Sequence, residues 1–165
     1  MTTAPEDRTL ARIPQIDDPA ALRNLIANAR GKSDRIVRTA LRRLVSLSTD
    51  RRPGTVEYDC WSMIHTIEEL RRMEGRVWRM NRLRPKIAAE GEVRALAFCA
   101  EAETDGFHEI LAYGLPELTA EAIVLRHPSI FPGDLREVAR QRLQNAGVVV
   151  SEDGRTVSFG EERPI

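Results

Sequence analysis

The stretch DLREVARQRLQNAGVVVSEDGRTVSF, residues 134–159, decides the reading of the fold, because independent local rules agree along it. Asp134 reads as an N-cap and Glu137, three residues on, completes a capping box, so a helix is expected from there. Leu135, Val138, Ala139, Leu143 and Ala146 share one helical face, and Arg136, Arg140, Gln141 and Gln144 share the other. Gly147 is the expected stop. Two short β-type runs follow, joined by Asp153-Gly154, the pair that a two-residue type I′ hairpin prefers. Pairing outward from that turn sets Glu152 against Arg155, Val150 against Val157 and Val148 against Phe159, which lands the apolar side chains on one face.

Upstream, the chain comes in short, well-punctuated units. Leu118 and Ile123 bracket Thr119 as a hydrophobic staple around an N-cap, so a helix is expected over 119–126, ending at His127-Pro128. The loop 128–133 holds Ile130 and Phe131, expected to tuck beneath the adjoining helices. A helix from Thr104 or Asp105 to Gly114 carries Phe107, Ile110 and Leu111 inward. The segment 92–103 is apolar nearly all round, which predicts a buried helix with Val93, Leu96, Ala97, Phe98 and Ala100 in the core. With Arg94 as its one cationic donor, it is a poor base-reading helix, which argues against a helix-turn-helix made with the short helix after Pro85. The longest periodic segment, 56–74, places Cys60, Met63, Ile64, Ile67 and Leu70 at core spacing and is the expected central helix. Ser33 caps a helix that buries Ile36, Val37, Ala40, Leu41 and Leu44, and Asp18-Pro19 opens another with Leu22, Leu25, Ile26 and Ala29.

These units predict a mainly α, compact multi-helix protein with a C-terminal β-hairpin. The expected division is a flexible N-terminal arm at 1–17, a helical domain at 18–103, a helix-and-hairpin unit at 104–160, and a polar tail at 161–165. No apolar run approaches the roughly 18 residues of a membrane span. The first residues also lack the apolar block of a secretory signal, so a cytoplasmic protein that does not engage a membrane is expected. Cys60 and Cys99 show no CxxC spacing and read as reduced, buried thiols.

Net charge is zero but unevenly spread: residues 1–90 carry +6 and residues 91–165 carry −6. All but Lys32 and Lys86 of the cations are arginine. Arg35, Arg38 and Arg42, with Arg43 beside them, line the outer face of one helix, as a solvated stripe or a row of phosphate contacts. The densest cluster is Arg71, Arg72, Arg76, Arg79, Arg82, Arg84 and Lys86, interleaved with Trp78 and opposed by Glu74. Such a cluster repels itself unless solvated or met by an anion, and nucleic acid is the leading candidate anion.

Together, residues 107–159 run helix, helix, turn, helix, hairpin, and this order resembles a winged helix-turn-helix domain, the DNA-binding module of many bacterial transcription regulators. The resemblance rests on Leu118-Thr119-Ala120-Glu121, on Val138, Leu143 and Ala146-Gly147-Val148, and on the wing turn Asp153-Gly154-Arg155. It implies that the third helix enters the major groove, with Arg136, Arg140, Gln141 and Gln144 as readers and Arg155 on the wing.

Three functions are therefore weighed. The first is a nucleic-acid-binding, regulatory protein with DNA as its partner; the second is a helical interaction module whose oppositely charged halves meet another acidic protein or a second copy, as in a homodimer. The third is an enzyme such as a nuclease, for which His65, His108, His127, Glu57, Asp59 and Cys60 are the candidate groups, without a recognisable catalytic spacing. His65 and Glu69, one turn apart, suggest a surface ion pair rather than a metal site, and neither metal nor cofactor is expected.

Overall fold

Side chains that start helices set the architecture. In a computed structural model that describes residues 4–165, Asp18, Ser33, Thr55, Thr104 and Thr119 each accept a hydrogen bond, at 3.0 to 3.2 Å, from a backbone N–H in the first turn of the helix they precede. The helices are α1 (Ala4–Arg12), α2 (Pro19–Ala29), α3 (Asp34–Ser48), α4 (Val56–Met73), α5 (Leu83–Glu90), α6 (Glu92–Glu101), α7 (Asp105–Ala112), α8 (Ala120–Arg126) and α9 (Gly133–Asn145). The chain ends in an antiparallel hairpin of β1 (Val148–Val150) and β2 (Val157–Phe159). It is a compact, mainly α-helical protein, and among the described residues no helix is long and apolar enough to cross a membrane.

The expected centre is the observed one. α4 buries Val56, Cys60, Met63, Ile64, Ile67 and Leu70, and packs against α3, α6, α7 and α8. One hydrophobic core runs from Ile13 to Val148, drawing on every helix from α2 to α9. α8 is buried along Ala120–Leu125, so its flanks meet α4, α6 and α9 at once. α7 approaches α4 closely at Gly106, where a Cβ would stand 2.7 Å from Ile67 Cδ1.

Several local expectations change. Described residues of the supposed N-terminal arm form α1 and a 3-10 turn, Ile13–Gln15, anchored by the 1% exposed Ile13; residues 1–3 of the arm lie outside the described residues. α9 begins at Gly133, with Pro132 in the extended cap position and no side-chain cap. Proline supplies no N–H and suits that position, which moves Asp134 inside the first turn, where its Oδ1 accepts from Leu135 N at 2.9 Å and no capping box forms. Val138 is exposed, as is Ile130, while its neighbour Phe131 is buried. α6 is one-sided: Ala95, Leu96 and Ala100 are buried, whereas Val93 and Phe98 are exposed.

The hairpin keeps the expected register, Val148 opposite Phe159 and Val150 opposite Val157, but not the expected turn. A type I′ turn needs positive φ at both central residues, and here only Gly154 has it, at +74°. Ser151 N donates to Thr156 O and Gly154 N to Ser151 O, each at 2.9 Å, closing a four-residue loop over 152–155. Lengthening the loop by one residue on each side leaves the register untouched.

Candidate nucleic-acid interface and adjoining cleft

The cationic segment 71–86, which begins in the last turn of α4, is stapled to the fold by two forks. Arg71 meets Glu109 through Nη2 and Nε at 2.8 and 3.0 Å, and Arg84 meets Glu68 through Nε and Nη2, each at 2.7 Å. Met80 N also donates to Glu68 Oε1 at 3.1 Å, so one buried carboxylate on α4 fixes the C-terminal end of the loop 74–82. Burial alone would push the Glu68 pKa up, but the Arg84 fork and the Met80 N–H together bring it below the ordinary value. Arg72 lies 4.0 Å over the Trp78 ring, Arg76 sits between Glu74 and Glu109, and Lys86 pairs with Glu90 at 2.6 Å. Arg79 and Arg82 differ: both are exposed, and neither has a carboxylate partner among the described residues. Of the expected phosphate contacts in this segment, Arg84 is thus engaged internally, Arg76 and Lys86 are paired with carboxylates, and Arg79 and Arg82 are exposed without such a partner among the described residues.

The arginine stripe on α3 faces the rest of the chain. Arg38 is 6% exposed and donates to the carbonyls of Tyr113 and Arg163. Arg35 lies 3.6 Å from Glu162, Arg42 pairs with Glu117 at 2.7 Å, and Arg43 meets Asp17 and the Ile16 carbonyl. Ile165 N reaches Asp34 Oδ2 at 3.1 Å, so the polar tail lies along this helix. The C-terminal tail lies against Arg35 and Arg38, whereas Arg42 stays exposed beside Glu117 and Arg43 turns to the segment before α2.

The outer face of α9 is also partly engaged. Arg136 Nε donates to Phe131 O at 3.2 Å, and Arg140 clamps the hairpin loop by donating to Ser151 O and Glu152 O at 3.0 and 3.2 Å. Gln141 bonds Asn145, whereas Gln144 and Arg155 are exposed. Sequence reasoning passed over Arg142. Its Nη1 donates to Ala100 O and to Glu121 Oε1, at 2.7 and 2.8 Å, tying α9 to α6 and α8 through a buried ion pair. A single signal was available: an acidic residue, Glu121, inside an otherwise apolar helix must find a cation if that helix is buried.

Beside the loop 74–82 lies a cleft of about 570 Å³ between α4, α5, α6, α7 and α8. Its buried lining is apolar apart from Glu121, with Met63, Ile67, Phe107 and Ile110, and its exposed lining carries Arg79, Arg82, Asn81, Asp105 and Phe98. Lys86 Nζ stands 4.7 Å from the Phe98 ring centroid. Glu121, 1% exposed, lines the same cleft; its Oε2 is buried and receives no hydrogen bond. Burial raises its pKa above the ordinary carboxylate value even against the Arg142 hydrogen bond. Cys99 also lines the cleft, and burial pushes its thiol up to about 11, which keeps it protonated near neutral pH.

The candidate catalytic groups are only partly brought together. His127 Nε2 lies 2.6 Å from Asp59 Oδ2, with Arg126 3.5 Å from the same oxygen, a contact that joins the end of α8 to the start of α4. His65 turns to Thr49 Oγ1 at 3.1 Å, His108 to Glu103 at 3.4 Å, and Glu69 to Arg23 at 2.6 Å. The Cys60 thiol is pushed up to about 12, first by burial, so no thiolate stands there near neutral pH. Among the described residues no three His, Cys, Asp or Glu side chains are grouped to hold a metal ion.

Fold and site define a helical protein with a C-terminal hairpin, surface arginines and an apolar cleft beside an exposed cationic loop. The chain matches no known family model, no curated protein and no solved structure.

Proposed function

We propose that this protein binds nucleic acid, with DNA as the first candidate and regulation as the role, and that the loop 74–82 supplies its phosphate contacts. The observation that carries the reading is the pair Arg79 and Arg82, exposed and without carboxylate partners on a loop held in place by the buried Glu68 fork. A guanidinium whose donors are unoccupied is a ready bidentate phosphate ligand, and with the loop backbone already held at Met80 binding has mainly side-chain rotamers left to order. Arg76 and Lys86 flank the pair, each already paired with a carboxylate. The helix-loop-helix-hairpin order of α8, α9, β1 and β2 supports a winged-helix docking element, with Gln144 and Arg155 as its outward donors. That element is the weaker contributor, since residues 107–159 hold five Arg against seven Asp and Glu, and Arg126, Arg136 and Arg140 bond backbone carbonyls of the same segment.

The alternative, association through oppositely charged halves, draws less support. Glu109, Glu117 and Glu162 of the acidic half already meet Arg71, Arg42 and Arg35 of the basic half within one chain. The charge asymmetry thus has an internal account, and the unpaired arginines, not the asymmetry, favour an external anion.

Fluorescence anisotropy with duplex and single-stranded DNA at two salt concentrations tests the reading. Micromolar binding that falls steeply with salt is expected, and the Arg79→Ala/Arg82→Ala variant should lose about tenfold in affinity and flatten the salt slope by roughly 2. Absence of binding at low salt overturns it.

A further inference from the structure

We propose that the cleft beside α4 is a nucleotide site, in which one unstacked base lies against Phe98 and Phe107 while its phosphate meets Arg79 and Arg82. This inference deepens the nucleic-acid reading and rests on it. Its evidence is the cleft itself, whose volume of about 570 Å³ falls in the range of small-ligand sites, roughly 300 to 1,000 Å³. The lining combines buried Met63, Ile67, Phe107 and Ile110 with exposed Arg79 and Arg82, and Asp105 is the one exposed carboxylate among them. A ligand with a flat apolar body and an anionic end matches that combination. Phe98, 55% exposed on α6, presents an aromatic ring with Lys86 over one face, which leaves the other face open to stack on a base.

Glu121 separates a nucleotide from a simple fatty or aromatic acid. Its Oε2 is shielded from solvent and receives no hydrogen bond, a rare condition for a buried carboxyl, and it lines this cleft. Reaching that oxygen from the cleft takes a shift of the Glu121 side chain, which a hydrogen bond from the amino group of adenine, cytosine or guanine offsets and an apolar acid does not. Uracil offers a single N–H between two carbonyl oxygens, which would face the carboxyl unfavourably. A base stacked in a duplex cannot reach a cleft of this kind, so the ligand is a free mononucleotide or an unpaired residue of a strand.

Calorimetric titration of the full chain with AMP, CMP, GMP and UMP, alongside anisotropy with a short single strand and a duplex, tests the site and separates its two sources. At least one amino-bearing mononucleotide should bind with Kd below about 1 mM and more tightly than UMP. Phe98→Ala should weaken mononucleotide and single-strand binding at least about fivefold while leaving duplex affinity and the thermal midpoint unchanged, since the ring is exposed. Glu121→Gln should narrow the preference over UMP. Failure of all four mononucleotides at about 5 mM, or single-strand binding indifferent to Phe98→Ala, overturns the site. If strand and duplex binding then still depend on Arg79 and Arg82, the nucleic-acid reading stands without it. Mononucleotide binding without any strand binding has the reverse meaning: the site stands and the nucleic-acid reading falls.

Discussion

Two buried glutamates, each held by an arginine, behave in opposite ways. Glu68 on α4 is saturated: both oxygens take the Arg84 fork, one also takes the Met80 N–H, and its pKa falls below the ordinary value. Glu121 on α8 is bonded to Arg142 at one oxygen only, leaves Oε2 unpartnered, and has its pKa raised by burial. The difference teaches what each pair is for. A saturated carboxylate holds a loop in place, and the loop it holds is the one that carries Arg79 and Arg82. An unsaturated one keeps hydrogen-bonding capacity at a cavity wall, at a cost in stability that a bound donor would offset.

The comparison is broken most severely at Arg142. Arg142→Ala leaves Glu121 buried without a cation and frees the Ala100 carbonyl, so urea unfolding at neutral pH should show a loss of about 3–5 kcal/mol, shrinking in acid as Glu121 protonates. Glu68→Gln comes next. Arg84 is partly solvated and can recover water, so the loss should be about 1–3 kcal/mol, with amide exchange at Met80 accelerated relative to α4. The smallest effect sharpens the contrast through pH. The depressed Glu68 contributes stability above its unfolded pKa of about 4.3 and loses it as pH falls through the lower folded value. The raised Glu121 contributes below about 4.3 and loses that contribution as pH rises through the higher folded value. Denaturant midpoints from pH 3 to 7 should therefore show Glu121→Gln gaining on the wild type toward neutral pH, by about 1 kcal/mol or less, and Glu68→Gln losing ground over the same direction.

Much of this fold was legible because its rules are local. The caps at Asp18, Ser33 and Thr119, the core spacing of α4 and the hairpin register each depend on residues a few positions apart. Local rules also misplaced details where two of them compete, as when Pro132 displaced Asp134 from the cap position and a four-residue loop replaced the two-residue turn. Helix α6 was read as buried all round from its composition, yet composition cannot say how many neighbours a helix has, and Val93 and Phe98 face outward.

The candidate site divides along the same line. The sequence by itself determined that residues 71–86 form the densest cationic segment, and Arg79 and Arg82 remain outward-facing there. Only the tertiary structure decided which arginines were already engaged: Arg84 by Glu68, Arg38 by distant carbonyls, Arg140 by the hairpin loop, and Arg142 by Glu121. It alone assembled the cleft, whose lining comes from five helices spread over 63–121. The physical reason is range. Caps, turns and periodicity act within a turn or two of chain, whereas a charge chooses its partner by proximity in space, after the core has brought remote segments together.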